Sequence, residues 1–241
     1  MDRQLFILLA TVLTTTPVFS DTLEDGLTAY NEGNVKQAVE IFRPLANKGD
    51  AKAQLYIGSI EYEENNYKSA LKWFKKAADQ GLPDAQVEIG SLYKNGEAVE
   101  KNGKKAIYWY TKAADKGSID AQVEIASMYK EGITVKKNGE NAIKWFTKAA
   151  EQGDDFAQYQ LGEIYAEGTI TTQNGKKAID WYKKSAESGD ALPFYTLAKI
   201  YCNGSLTKKD LKECASWAKK AKASDYDITE LWNKFKLWKY E

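Results

Sequence analysis

The side chains able to do chemistry in this chain are few. Histidine does not occur among its 241 residues. That excludes catalytic triads and general bases built on imidazole, and every zinc site that needs one. The two cysteines, Cys202 and Cys214, cannot build a cysteine-rich metal cluster and lack the C-x-x-C spacing of a redox site. Lysine and serine often lie close in sequence, but no S-x-x-K element with its partner motifs is present, so no serine has a visible activator. The Asn-Gly pairs at 102–103, 138–139 and 174–175 lack the spacing of a phosphate-cradling loop, and turn geometry accounts for them. Lysine pairs at 75–76, 104–105, 136–137 and 183–184 read as solvated helix faces. No catalytic residue, metal site or cofactor is expected, and the chain is read as not an enzyme.

Seven tryptophans and fifteen tyrosines could furnish a ligand site. Most of them, however, mark a period. Trp73, Trp109, Trp145, Trp181 and Trp217 each follow the last by 36 residues. They sit inside copies of one phrase: ALKWFKKAADQG from Ala70, AIYWYTKAADKG from Ala106, AIKWFTKAAEQG from Ala142 and AIDWYKKSAESG from Ala178. A second phrase precedes each copy, as in AQVEIGSLY from Ala85 and AQVEIASMY from Ala121. A side chain that recurs at one phase in every unit is packing, so the tryptophans are assigned to the core. A period of this length signals a solenoid.

Each half of the unit is helical. Ala106, Tyr110, Ala113 and Gly117 form one stripe, and Ala85, Ile89, Leu92 and Tyr93 another. Small residues at Gly90 and Ala106 let the two backbones approach, and glycines after each half suit a left-handed helix end. No segment reads as a strand. Six repeats are expected, at 22–49, 50–81, 82–117, 118–153, 154–189 and 190–225, with a capping helix over 226–241. The tail places Leu231, Trp232, Phe235 and Trp238 at helical spacing.

The combined phrase over 84–117, D-A-Q-x-x-x-G-x-x-Y-x-x-G followed by A-x-x-W-Y/F-x-x-A-A-x-x-G, resembles the Sel1-like repeat, a relative of the tetratricopeptide repeat. Residues 120–153 match as well. The resemblance implies an all-α, right-handed superhelical solenoid and a non-enzymatic scaffold or adaptor. Its partner would be a protein or peptide bound along the concave groove; an immunity-type inhibitor of a toxin is one version. A hydrolase acting on cell wall or β-lactams, or a binder of peptidoglycan or other carbohydrate, is the alternative.

Equal numbers of basic and acidic residues, 34 of each, give no reason to expect nucleic acid as partner. Arg3, an apolar run and the VFS sequence before Asp21 describe a secretory signal peptide over 1–20. Export to the periplasm or beyond is therefore expected, without stable membrane insertion after cleavage, and as a monomer. Cys202 should end one helix and Cys214 start its antiparallel partner. An oxidising compartment would join them, whereas two buried thiols is the other reading, since Cys214 stands where other units have alanine. In the related repeats the ligand-facing positions flank the recurring glycine. Carried onto this chain, they give Tyr62, Lys94, Lys130, Phe156, Tyr159, Glu163, Tyr195 and Lys199. Of these, Phe156, Tyr159 and Tyr195 stand out as aromatics that depart from the consensus of the repeat.

Overall fold

The computed structural model describes residues 22–240, so the expected signal peptide lies outside the described residues. Among the described residues twelve α-helices follow one another in antiparallel pairs and a thirteenth closes the series: α1 (Leu23–Asn31) with α2 (Val35–Asn47), α3 (Ala51–Glu63) with α4 (Tyr67–Asp79), and α5 (Pro83–Asn95) with α6 (Gly103–Ala114). Then come α7 (Ile119–Glu131) with α8 (Gly139–Glu151), α9 (Asp155–Glu167) with α10 (Gly175–Ser185), and α11 (Ala191–Asn203) with α12 (Leu211–Ala223). The last, α13, spans Thr229–Phe235. Each helix packs chiefly on the helix before it and the helix after it, which is the geometry of an all-α solenoid.

Local chemistry sets the ends of these helices. Asn102, Asn138 and Asn174 cap α6, α8 and α10, each accepting a hydrogen bond from the backbone amide three residues on. Gly96, Gly132, Gly168 and Gly204 close α5, α7, α9 and α11 in the left-handed conformation. Where Asp225 replaces the glycine that closes earlier units, the backbone keeps the same conformation, at φ 59°.

The core repeats with the sequence. In four of the pairs a ring on the second helix presses on a glycine of its partner: Phe42 on Gly26, Phe74 on Gly58, Tyr110 on Gly90 and Tyr182 on Gly162. Phe42, Phe74, Tyr110 and Phe146 are wholly buried, each worth roughly 2–3 kcal/mol of burial. The recurring tryptophans are half-buried and pack back onto the preceding pair, as Trp109 does against the cluster around Phe74 and Ile89. Each carries the lysine three residues later over its ring, from 3.8 Å for Lys76 on Trp73 to 4.8 Å for Lys112 on Trp109. Some of the lysines first read as a solvated face therefore also cover indoles.

A polar rail runs through the same interior. Gln54, Gln86, Gln122 and Gln158 each donate back to the last turn of the preceding second helix, at 3.0–3.5 Å. Gln80 then donates to Gln54 Oε1 and Gln152 to Gln122 Oε1. The equivalent place beside Gln86 holds Lys116, which donates to the Gly81 carbonyl instead, and Gln86 Oε1 is left buried without a partner. An unmet buried acceptor costs on the order of 1–3 kcal/mol. Lys116→Gln is therefore expected to stabilise the fold by about 1 kcal/mol, seen as a rise of about 2–4 °C in Tm. An unchanged or lower Tm would show that the lysine's bond to Gly81 is worth as much.

The C-terminal expectation needs correction. The expected capping helix is present but short: among the described residues after 225, only Thr229–Phe235 is α-helical. Lys236 adopts φ 53°, which ends α13, and a 3-10 turn follows over Leu237–Tyr240. The break rotates the apolar set. Leu231 and Leu237 are buried against Cys214, Ala218 and Ala221, whereas Trp238 points out, 47% exposed.

Candidate functional site

The first helices of successive pairs stand side by side and are tied directly across the inner wall. Tyr30 donates to Glu63, Tyr62 to Glu97 and Lys94 to Glu124, at 2.7–2.8 Å. Lys130 donates to Gln160 at 2.5 Å and lies 3.5 Å from Glu163. Of the residues predicted to meet a ligand, Tyr62, Lys94, Lys130 and Glu163 are thus engaged in bonds between neighbouring units. Glu63 raises the Tyr30 hydroxyl to about 12, and burial together with Glu97 does the same for Tyr62. Both phenols stay protonated donors at neutral pH. Glu88, between these ties, is held above the usual carboxylate range by burial and by nearby Asp84.

The other four predicted residues gather at one junction. Tyr159 and Tyr195 line a cavity of about 560 Å³ between α9 and α11, with Lys199, Leu192 and Tyr226. Phe156, 50% exposed, lines a smaller hollow of about 270 Å³ that shares Tyr159 and Leu192 with the first. Tyr159 does two jobs. Its ring stands 5.2 Å from Tyr182, and its hydroxyl shares a hydrogen bond of 3.2 Å with Thr196. Burial pushes its pKa up, and Thr196 only partly opposes that. Tyr195 leans on Tyr226 at 4.7 Å between ring centres, and the Lys199 ammonium lies 5.5 Å from the Tyr195 ring. Four phenol rings with Leu192, Ile200 and Leu206 thus wall an opening that Lys199 and Glu167 also line. It can take an apolar or aromatic side chain and offer hydroxyls to a peptide backbone.

Two members of this wall escaped sequence reasoning. Tyr182 occupies the recurring ring position of the second helix, where packing explains it already. Tyr226 follows the last repeat, where no periodicity reaches. The last unit departs from the others at Pro193, Cys214 and Asp225, and Asp225, in place of the closing glycine, adjoins Tyr226.

Cys202 and Cys214 are joined in a disulfide, with Cα atoms 5.1 Å apart, binding the end of α11 to the start of α12. Among the described residues, no helix is long and apolar enough to cross a membrane, and no cluster of side chains is arranged to hold a metal ion.

The Sel1 repeat family matches five stretches, at 51–82, 83–118, 119–154, 155–190 and 195–226. The pair α1–α2 lies ahead of the first matched stretch. No curated protein matches the chain. Among solved structures, a Sel1 repeat protein from Oxalobacter formigenes is 32% identical, with 86% of each chain covered and a TM-score of 0.71. A protective antigen of uropathogenic Escherichia coli with an SLR fold, c5321, is 36% identical over 78% of this chain, with a TM-score of 0.69; the match spans only 41% of that protein. The immunity protein PA5088 from Pseudomonas aeruginosa, 16% identical over 89% of this chain and 90% of its own at a TM-score of 0.51, shares the fold alone. Five matched units stacked as paired helices place the chain in the Sel1 repeat family, whose members are generally non-catalytic scaffolds for protein interaction.

Proposed function

We propose that this protein is an exported scaffold that binds an extended protein segment along its inner wall, with one apolar or aromatic side chain of that segment seated between α9 and α11. The observation that carries the reading is the cavity itself. Tyr159, Leu192 and Tyr195 line it, side chains that depart from the repeat, beside the recurring ring of Tyr182. In a solenoid, recurrent residues maintain the stack and variable ones confer specificity. Export is supported by the signal-like N-terminal sequence and by the disulfide, which persists in oxidising compartments. An inhibitor that sequesters a toxic enzyme belongs to this class, and an adjacent toxin gene would single it out.

The test is selection of peptides from a random display library, followed by measurement with Leu192→Glu. Leu192 is 43% exposed and lines both hollows, so the substitution blocks the opening without emptying the core. The selected peptides should share an apolar anchor. Their affinity should fall at least about tenfold in the variant, with helicity and Tm nearly unchanged. Ligands that bind the variant equally well, or capture of peptidoglycan fragments in place of peptides, would overturn the assignment.

A further inference from the structure

Zero net charge conceals a division between the two walls. On the outer wall, α10 carries Lys176, Lys177, Lys183 and Lys184 against Asp180 alone. Helix α12 carries Lys212, Lys219, Lys220 and Lys222 against Glu213, and Glu213 already accepts a hydrogen bond from the Trp217 indole at 3.1 Å. All eight lysines are exposed. The inner wall of the same units is less basic: α9 bears Asp155, Glu163 and Glu167 and no base, and α11 bears Lys199 alone. The segment after α12 contributes exposed aromatics in place of charge. Its 3-10 turn packs on α12 and exposes Trp238 by 47% and Tyr240 by 38%, beside Lys236 and Lys239. Asp225, Asp227 and Glu230 precede these and balance Lys234, Lys236 and Lys239, so the described segment adds aromatic surface and no net positive charge.

We propose that the outer wall of the last two repeats, with the Trp238–Tyr240 turn, docks peripherally on an anionic lipid bilayer, so that the inner groove faces the aqueous phase. Three features favour a bilayer over other polyanions. First, the charge is lysine almost throughout, since arginine occurs only at Arg3 and Arg43. Lysine is a compact point charge suited to diffuse attraction toward a headgroup layer, whereas bidentate recognition of a discrete phosphate calls for arginine. Second, the outer indoles do not offer open faces for stacking nucleobases. Lys184 lies 4.2 Å over Trp181 and Lys220 lies 4.1 Å over Trp217. Third, exposed tryptophan and tyrosine beside lysine is the composition of an interfacial anchor, with rings at headgroup level and ammoniums toward phosphate. The contact is peripheral, because no described helix is long and apolar enough to cross the membrane.

The experiment is vesicle flotation with phosphatidylcholine alone and with about one third phosphatidylglycerol. Binding is expected to the anionic vesicles only and should be lost as salt rises from about 0.1 to 0.5 M. A quadruple variant, Lys176→Glu, Lys183→Glu, Lys219→Glu and Lys222→Glu, leaves the lysines over the indoles in place. It should lower binding at least about tenfold with helicity intact. Trp238→Ala with Tyr240→Ala should weaken it several-fold and abolish the fluorescence shift on vesicle addition. Leu192→Glu should bind vesicles as the parent does, which separates this result from the fate of the groove reading. Absence of binding, or equal binding to neutral vesicles, overturns the proposal. So does equal competition by polyphosphate or duplex DNA, which would make the face a general polyanion site. Self-association through Trp238 without lipid would make it an interface between copies and overturn it equally.

Discussion

Gly139→Ala should lower stability by about 3 kcal/mol, more than most single-methyl additions in this chain. A Cβ at Gly139 would stand 2.3 Å from the carbonyl oxygen of Ile170, in the loop of the next unit. The same approach recurs between Gly103 and Thr134, and between Gly175 and Leu206. A ring edge can swing aside, but a loop carbonyl held between two helices moves only with the stack. Gly153 supplies the contrast. A Cβ there meets nothing within 4 Å, and its glycine answers to a φ of +94°. Gly153→Ala should cost about 1 kcal/mol, and Gly153→Asn less, because asparagine tolerates the left-handed region. Denaturant unfolding of the three variants checks the ranking. Similar losses for Gly139→Ala and Gly153→Ala would mean that the loop yields. Leu211 agrees with the steric account. It occupies the same first position of α12, and the described chain continues from α12 into α13 and not into another such loop.

Those Asn-Gly pairs show where a one-dimensional reading stops. Asparagine is there for the cap, and that was legible locally. Glycine is there for a loop 31 residues downstream, as from Gly139 to Ile170, which no local turn rule detects. The helices were legible because every unit restates the same 3.6-residue stripe, so an error in one copy is corrected by the others. The tail has no second copy. Its spacing of Leu231, Phe235 and Trp238 fitted a helix, and the left-handed Lys236 exchanges Trp238 for Leu237 in the core.

The candidate site was half legible for a related reason. Phe156, Tyr159, Tyr195 and Lys199 were visible as departures from the repeat, and they do meet around one junction. Tyr62, Lys94, Lys130 and Glu163 occupy the same kind of inner-wall position, yet they reach a neighbouring unit and are tied to it. Which of these happens depends on the reach and charge of the residue about 30 positions away. Lys94 pairs with Glu124, whereas Lys199 forms no ion pair among the described residues and stays at the rim of the cavity.

Replacing Cys202 and Cys214 by serine should cost about 3 kcal/mol, from the chain entropy that a closure across 12 positions removes. The loss should be confined to the last unit. A solenoid is stabilised pairwise between neighbours, so weakening one unit leaves distant ones folded. The junction behind α11 differs from the others, since α10 stops at Ser185 and a 3-10 turn over Ala186–Ser188 stands where its last turn would be and meets α11. The tyrosine-walled cavity lies beside it, with Tyr182 of α10 in its wall. Stability and function therefore conflict at this point: closer packing would fill the site, and looser packing would release α11 with Leu192, Tyr195 and Lys199. The disulfide restrains the far end of α11, opposite that 3-10 turn. Hydrogen exchange on the reduced or serine protein should show protection lost over 191–235 and retained over 51–167. Binding of groove-selected peptides should fall in parallel, with most of the helical signal remaining. Uniform loss of protection along the chain would mean that the units unfold together, and that the bond stabilises the whole stack and not this junction.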